Sequence, residues 1–109
     1  MSEKDKSFQQ PTVKLVSVKP SSNPDKKLDV VIEQPSGRDK TIRIGQRGAD
    51  DFTKTGDEEQ KERYIDRHKA REDWKLSGVL TAGFWSKHLL WNRPTLSASI
   101  SDTKKRFNL

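Results

Sequence analysis

Leu28-Asp29-Val30-Val31-Ile32-Glu33 puts Leu28, Val30 and Ile32 on one side of an extended chain, because successive side chains of a strand point to opposite faces. Upstream, between Thr12 and Lys19, Val13-Lys14-Leu15-Val16-Ser17-Val18 is rich in β-branched residues and predicts a second strand. Pro20-Ser21-Ser22-Asn23-Pro24-Asp25 separates the two with residues that favour turns. Downstream, Pro35-Ser36-Gly37-Arg38-Asp39 is a short connection and Thr41-Ile42-Arg43-Ile44 a third extended segment. The spacing predicts an antiparallel hairpin or three-strand meander with one apolar face. Adequate cover for that face lies only beyond residue 60.

Gly45, Gly48 and Gly56 punctuate an expected loop that contains Asp50-Asp51-Phe52. A long helix is predicted to start near Thr55 or Asp57, where Thr55-Gly56-Asp57-Glu58 has capping-box spacing, and to run to about Asp73. Its apolar side is thin, consisting of Tyr64, Ile65 and His68 with the stem of Arg71. Gly78 breaks the pattern. Phe84 to Trp91 predicts a short helix with Phe84, His88 and Trp91 on one face and Trp85 and Leu89 on another, so it is either central to the fold or inserted in a partner. Asn92-Arg93-Pro94 ends it. Thr95 caps a last helix in which Leu96, Ile100, Thr103 and Phe107 share a face and Asp102 pairs with Arg106. The fold class is α+β, a small antiparallel sheet followed by about three helices. Residues 1–11 read as a flexible tail and 12–56 as a small β region with loops. Residues 57–109 form a basic, Trp-rich helical region packed with the β region as one domain.

Only 29% of the 109 residues are hydrophobic and the mean hydropathy is -1.02, so the core is expected to be small. With no cysteine, the chain has neither disulfides nor thiolate metal sites nor a thiol nucleophile. Met1 to Gln10 lacks the apolar run of a signal peptide, and the apolar stretch from Phe84 to Trp91, interrupted by Ser86, Lys87 and His88, is too short to span a bilayer. The net charge of +6 is unevenly placed. Residues 1–60 hold 11 Lys or Arg against 11 Asp or Glu, 61–75 hold 6 against 4, and 76–109 hold 5 against 1. Trp74, Trp85 and Trp91 lie in the same basic half, a combination suited to nucleic acid, anionic lipid or an acidic protein surface.

Catalytic chemistry finds few candidates. Glu72 follows His68 by one helical turn and could orient its imidazole, but such a pair is more often a surface ion pair. His88 reads as a hydrogen-bonded filler between Phe84 and Trp91. Two histidines without cysteine are a poor basis for structural zinc. Gly45 and Gly48 lack the Lys-Ser/Thr ending of a phosphate loop. The reading is therefore a non-enzymatic protein with no catalytic residues, cofactor, metal or small-molecule substrate. Two sets of contact residues are expected: protein-interface anchors at Trp74, Phe84, Trp85, Leu89 and Trp91, and a basic ridge of Arg63, Arg67 and Arg71 at i, i+4 and i+8, extended by Lys75, Lys105 and Arg106. Glu62, Asp66, Glu72 and Asp73 weaken the field of that ridge.

Lys61-Glu62-Arg63-Tyr64-Ile65, Arg67-His68, Glu72-Asp73-Trp74, Thr81-Ala82-Gly83-Phe84-Trp85-Ser86, Leu89-Leu90-Trp91-Asn92-Arg93-Pro94-Thr95-Leu96, Ser99-Ile100-Ser101-Asp102 and Lys105-Arg106-Phe107 occur in that order. In this the chain resembles a family of small uncharacterised proteins encoded by large double-stranded DNA viruses of eukaryotes, the giant viruses and their relatives. Gly45 to Thr53 is similar to the same family's glycine and acidic-aromatic segment. The resemblance implies a virion structural component, a minor capsid or internal virion protein that meets viral structural proteins such as capsid proteins. The alternative is a nucleic-acid-binding protein associated with the packaged genome. It further implies location in the virion, and otherwise in the host cytoplasm or viral factory.

Overall fold

The structure, a computed structural model, describes residues 13–109. The expected tail at 1–11 lies outside them. Three strands, β1 (Lys14–Pro20), β2 (Lys26–Glu33) and β3 (Asp39–Gln46), form an antiparallel meander in the order β1-β2-β3. Register follows the apolar alternation: Val30 lies opposite Val18 and Ile42, and Leu28 opposite Ile44. A bulge at Val16 lets Leu15 face Ile32 while Ser17 faces Val31, and leaves Val16 exposed. The first turn is fixed by Asn23, whose side chain accepts from the Asp25 amide at 2.8 Å and whose carbonyl accepts from Lys26 N at 3.0 Å.

The expected loop after β3 contains a one-turn helix, α1 (Phe52–Thr55). The Asp51 carboxylate caps it by accepting from the amides of Thr53 and Lys54, and Gly56, at φ +65°, closes it in the left-handed conformation. This turn drives Phe52 into the core, where it is 2% exposed. Asp57 then caps α2 (Glu58–His68) through the amides of Glu59 and Gln60.

Helix α2 stops at His68, five residues before the expected end. The amides of Arg71 and Glu72 both turn back to the His68 carbonyl, at 2.9 and 3.0 Å. Asp73 then offers the backbone a competing partner, because its carboxylate accepts from Lys75 N at 3.0 Å and from Ser77 Oγ at 2.7 Å. A 3₁₀ turn, Leu76–Gly78, follows. Gly78 presses on the Asp73 backbone, where a Cβ would lie 2.1 Å from the Asp73 carbonyl oxygen.

Thr81 caps α3 (Ala82–Trp85), which widens into a π-turn over Ser86–Leu90. The widening divides the expected face: Phe84 and His88 meet Phe107 at 5.0 and 4.9 Å between ring centroids, whereas Trp91 stacks on Tyr64 at 4.5 Å. Helix α4 (Leu96–Phe107) is capped by Thr95 and ends at Asn108, with φ +57°. Its fully buried positions are Ser99 and Thr103, while Leu96, Ile100 and Phe107 are half-buried. Sheet and helices share one core, with Val30, Ile32 and Ile44 packed in the same cluster as Phe84, Trp85 and Leu89. No helix among the described residues is long and apolar enough to cross a membrane.

Candidate functional site

The residues expected to anchor a partner are spent inside the chain itself. Phe84, Trp85 and Leu89 are completely buried and Trp91 is 8% exposed. Trp85 donates its indole N–H to the Val79 carbonyl at 2.7 Å, a closed internal hydrogen bond. Trp74 is half-buried beneath the Lys87 ammonium, which stands 5.6 Å from its ring centroid. The physical reason is scarcity: beside Phe52, Tyr64 and Leu90 a chain this polar has little other bulk with which to cover its sheet, so Trp85 and Trp91 are taken for the core.

The basic ridge is also altered. Arg63 and Arg67 project from α2, exposed and without an ion pair among the described residues, but Arg71 falls beyond the end of the helix and leaves the expected i, i+8 row. Glu59, Glu62 and Asp66 are exposed on the same helix, and Asp66 pairs with Lys69 at 3.4 Å. Lys75 and Lys105 are exposed, again with no ion pair among the described residues, whereas Arg106 is tied to Asp102 at 3.1 Å.

A denser cationic centre gathers around Asp102. Its carboxylate accepts from Asn92 Nδ2 at 2.9 Å, from Arg93 at 3.2 Å and from Arg106 at 3.1 Å. Those bonds hold its proton affinity below the ordinary carboxylate range, the Asn92 amide contributing most. Asn92 is buried and bonds back to the His88 carbonyl, which fixes the loop between the π-turn and α4. Lys61 reaches that loop from α2, donating to the Asn92 carbonyl at 2.7 Å with its ammonium 4.8 Å from the Phe52 ring centroid. Lys87 adds a fourth cation. Burial in the first place, then the neighbouring charges of Arg106 and Lys61, lowers its pKa. Of these residues only the Asp102–Arg106 pair had a local signal; Lys61 and Asn92 are 31 residues apart and carry none.

On another side, a groove of about 530 Å³ runs between the end of β3 and the helices. Tyr64, His68, Glu72, Ser86 and Trp91 line it, with Arg67 also on its wall. His68 Nδ1 lies 3.3 Å from Glu72 and its ring stacks on Tyr64 at 4.3 Å. Burial, with the Glu72 charge second, pushes the Tyr64 phenol up to about 12. The Glu72 carboxylate thus orients the His68 imidazole, and no hydrogen bond joins Ser86 to His68 among the described residues. His88 is 2% exposed; its Nε2 bonds to the Trp74 carbonyl at 2.8 Å, its Nδ1 has no partner among the described residues, and burial lowers its pKa to about 4. Among the described residues no group of His, Asp or Glu is arranged to hold a metal ion.

Fold and surface together define a small α+β domain with a closed aromatic core and a cationic face built by α2, the π-turn and α4. Residues 16–68, just under half of the chain, match the model of a family of unknown function, DUF5754. The match takes in the meander from Val16 within β1, with α1 and α2, and stops short of α3 and α4. Neither the curated proteins nor the solved structures hold a match to the chain.

Proposed function

We propose that this protein is a non-enzymatic nucleic-acid-binding protein whose C-terminal half meets the phosphate backbone. One observation carries the reading: residues 76–109 hold five Lys or Arg and one Asp, and that single acid, Asp102, is already shared between two arginines. Nothing in that half remains to neutralise Lys104 and Lys105, and a polyanion supplies what is missing. In the setting that the resemblance of residues 61–109 implies, the partner is the packaged genome of a large DNA virus and the location the virion. The test is retention of DNA and RNA by the purified chain. Binding at low ionic strength that falls linearly in log K against log salt is expected, at about -0.9 per phosphate contact on duplex DNA. Absence of retention at low salt overturns the reading.

A second reading, a minor capsid or internal virion protein acting through protein contacts, is favoured by a different feature. Val13, Pro35, Leu76, Val79 and Leu80 line an apolar groove of about 560 Å³, and Leu80 is 40% exposed there. Its anchors would be these aliphatic groups and not the indoles. Leu80→Asp should then release the protein from purified particles while leaving its thermal midpoint within a few degrees; unchanged particle content would count against it.

A further inference from the structure

We propose that Lys61, Lys87, Arg93 and Arg106, gathered round Asp102 by α2, the π-turn and α4, form the site that takes a phosphodiester group of a nucleic-acid backbone. The inference rests on the nucleic-acid reading above and assigns it to a place.

Four cations and one acid meet there. Asp102 holds Arg93 and Arg106 at 3.2 and 3.1 Å, yet the two side chains remain 52% and 46% exposed. A guanidinium has five N–H donors, so each arginine is held by one edge while further donors stay directed at solvent. Asp102 thus acts as an internal brace that fixes two forks. Lys61 is braced differently, by the Asn92 carbonyl and the Phe52 ring, and the same Asn92 side chain bonds to Asp102. The side chains are therefore ordered before any ligand arrives, which lowers the entropy lost on binding.

The crowding has a cost in the free protein. Lys87 is half-buried, and Arg106 and Lys61 both disfavour its charged form, while Asp102 alone opposes them. No hydrogen bond of the Lys87 ammonium offsets this among the described residues; it stands only over the Trp74 ring. A phosphate oxygen placed among the four would relieve that repulsion. The outer face of α2 is the weaker competitor, because Glu59, Glu62 and Asp66 stand among Arg63 and Arg67.

The experiment titrates the full chain with a short DNA duplex across a range of chloride concentrations, comparing Lys87→Gln and Arg106→Gln with the double variant Arg63→Gln/Arg67→Gln. Each cluster variant is expected to lose about eightfold in affinity at 0.1 M salt and about 0.9 from the salt slope, the worth of one phosphate contact. The double variant should lose less than either. Lys87→Gln should also raise the thermal midpoint, since it removes a crowded charge, and so separates lost binding from lost folding. If wild type binds while both cluster variants bind as it does, the site is wrong and the nucleic-acid reading survives. If wild type binds no DNA, both fall. If polyglutamate competes as well as DNA and loses the same eightfold on substitution, the site recognises acidic polypeptide and the phosphodiester assignment is overturned.

Discussion

Trp85 shows what the core requires of single residues. It is fully buried and its indole N–H closes on Val79, so Trp85→Ala should cost about 3–5 kcal/mol from lost packing, beyond which the Val79 carbonyl is left unpaired. Against a total stability of roughly 5–15 kcal/mol for a domain, that loss brings the chain near unfolding. Chemical denaturation should show a sharply lowered midpoint for Trp85→Ala and a smaller fall for Trp85→Phe; a midpoint unchanged in Trp85→Ala would contradict the burial. His88 makes a pH-dependent demand. Its folded pKa, about 4, lies below the ordinary 6.5, so the unfolded chain binds the extra proton between those values and stability falls as pH drops from about 6.5 toward 4. The full loss is at most about 3 kcal/mol. Asp29, Asp73 and Asp102, whose pKa values are also lowered, act in the same direction in a lower window: their contribution is present above about 3.8 and is lost only in stronger acid. His88→Leu should therefore flatten the stability profile between pH 6.5 and 4 while leaving the acid limb below it, as urea midpoints across that range would reveal.

Among the elements, the strands were legible because alternation in Leu28–Ile32 and Ile42–Ile44 sets both face and register, and the bulge at Val16 shifts only the outermost strand. Helix α4 was legible for a similar reason, from Thr95 at its start to the Asp102–Arg106 pair. The end of α2 was not. Nothing between Glu58 and Asp73 breaks a helix by propensity, and the chain departs at His68 because Asp73 captures Lys75 and Ser77 and because Gly78 admits the Asp73 backbone. Two glycines in these connections differ in a testable way. A Cβ at Gly78 meets the Asp73 carbonyl oxygen at 2.1 Å, a backbone atom that cannot retreat without moving the turn. A Cβ at Gly83 meets the end of the Glu72 side chain at 1.7 Å, which can rotate away at the expense of its pair with His68. Gly78→Ala should cost about 1–3 kcal/mol, the range of an overpacked site, and Gly83→Ala less than about 1. Thermal melts of the two variants side by side would reverse this ranking if Asp73 moves freely.

Charge distribution along the chain pointed to the basic C-terminal half, but only folding decides which cations share a surface. The row Arg63–Arg67–Arg71 was drawn from helical spacing and lost its last member when α2 ended; the centre around Asp102 needed Lys61, Arg93 and Arg106 to meet from three separate stretches. Of the two places open to the Phe84–Trp91 segment, core or partner, packing selects the core: with so few apolar residues, the demand of the sheet for cover outranks any use of Trp85 or Trp91 at the surface. What results is a molecule whose closed core tolerates an unbalanced exterior, with a net charge of +6. Six ion pairs of Lys or Arg with carboxylates oppose that imbalance among the described residues, and the crowding at Lys87 adds to it. The screening length falls from about 30 Å at 0.01 M salt to about 10 Å at 0.1 M, so added salt weakens the long-range repulsion before it weakens contacts of 3–4 Å. The thermal midpoint of the free protein should therefore rise by several degrees between those concentrations, where roughly 1 kcal/mol corresponds to 4–8 °C in a domain of this size. Sulfate at equal ionic strength should raise it further than chloride, because a divalent oxyanion also suits the cationic centre. A midpoint that falls with salt would mean that the internal ion pairs, and not the surplus of cations, dominate the electrostatics of the fold.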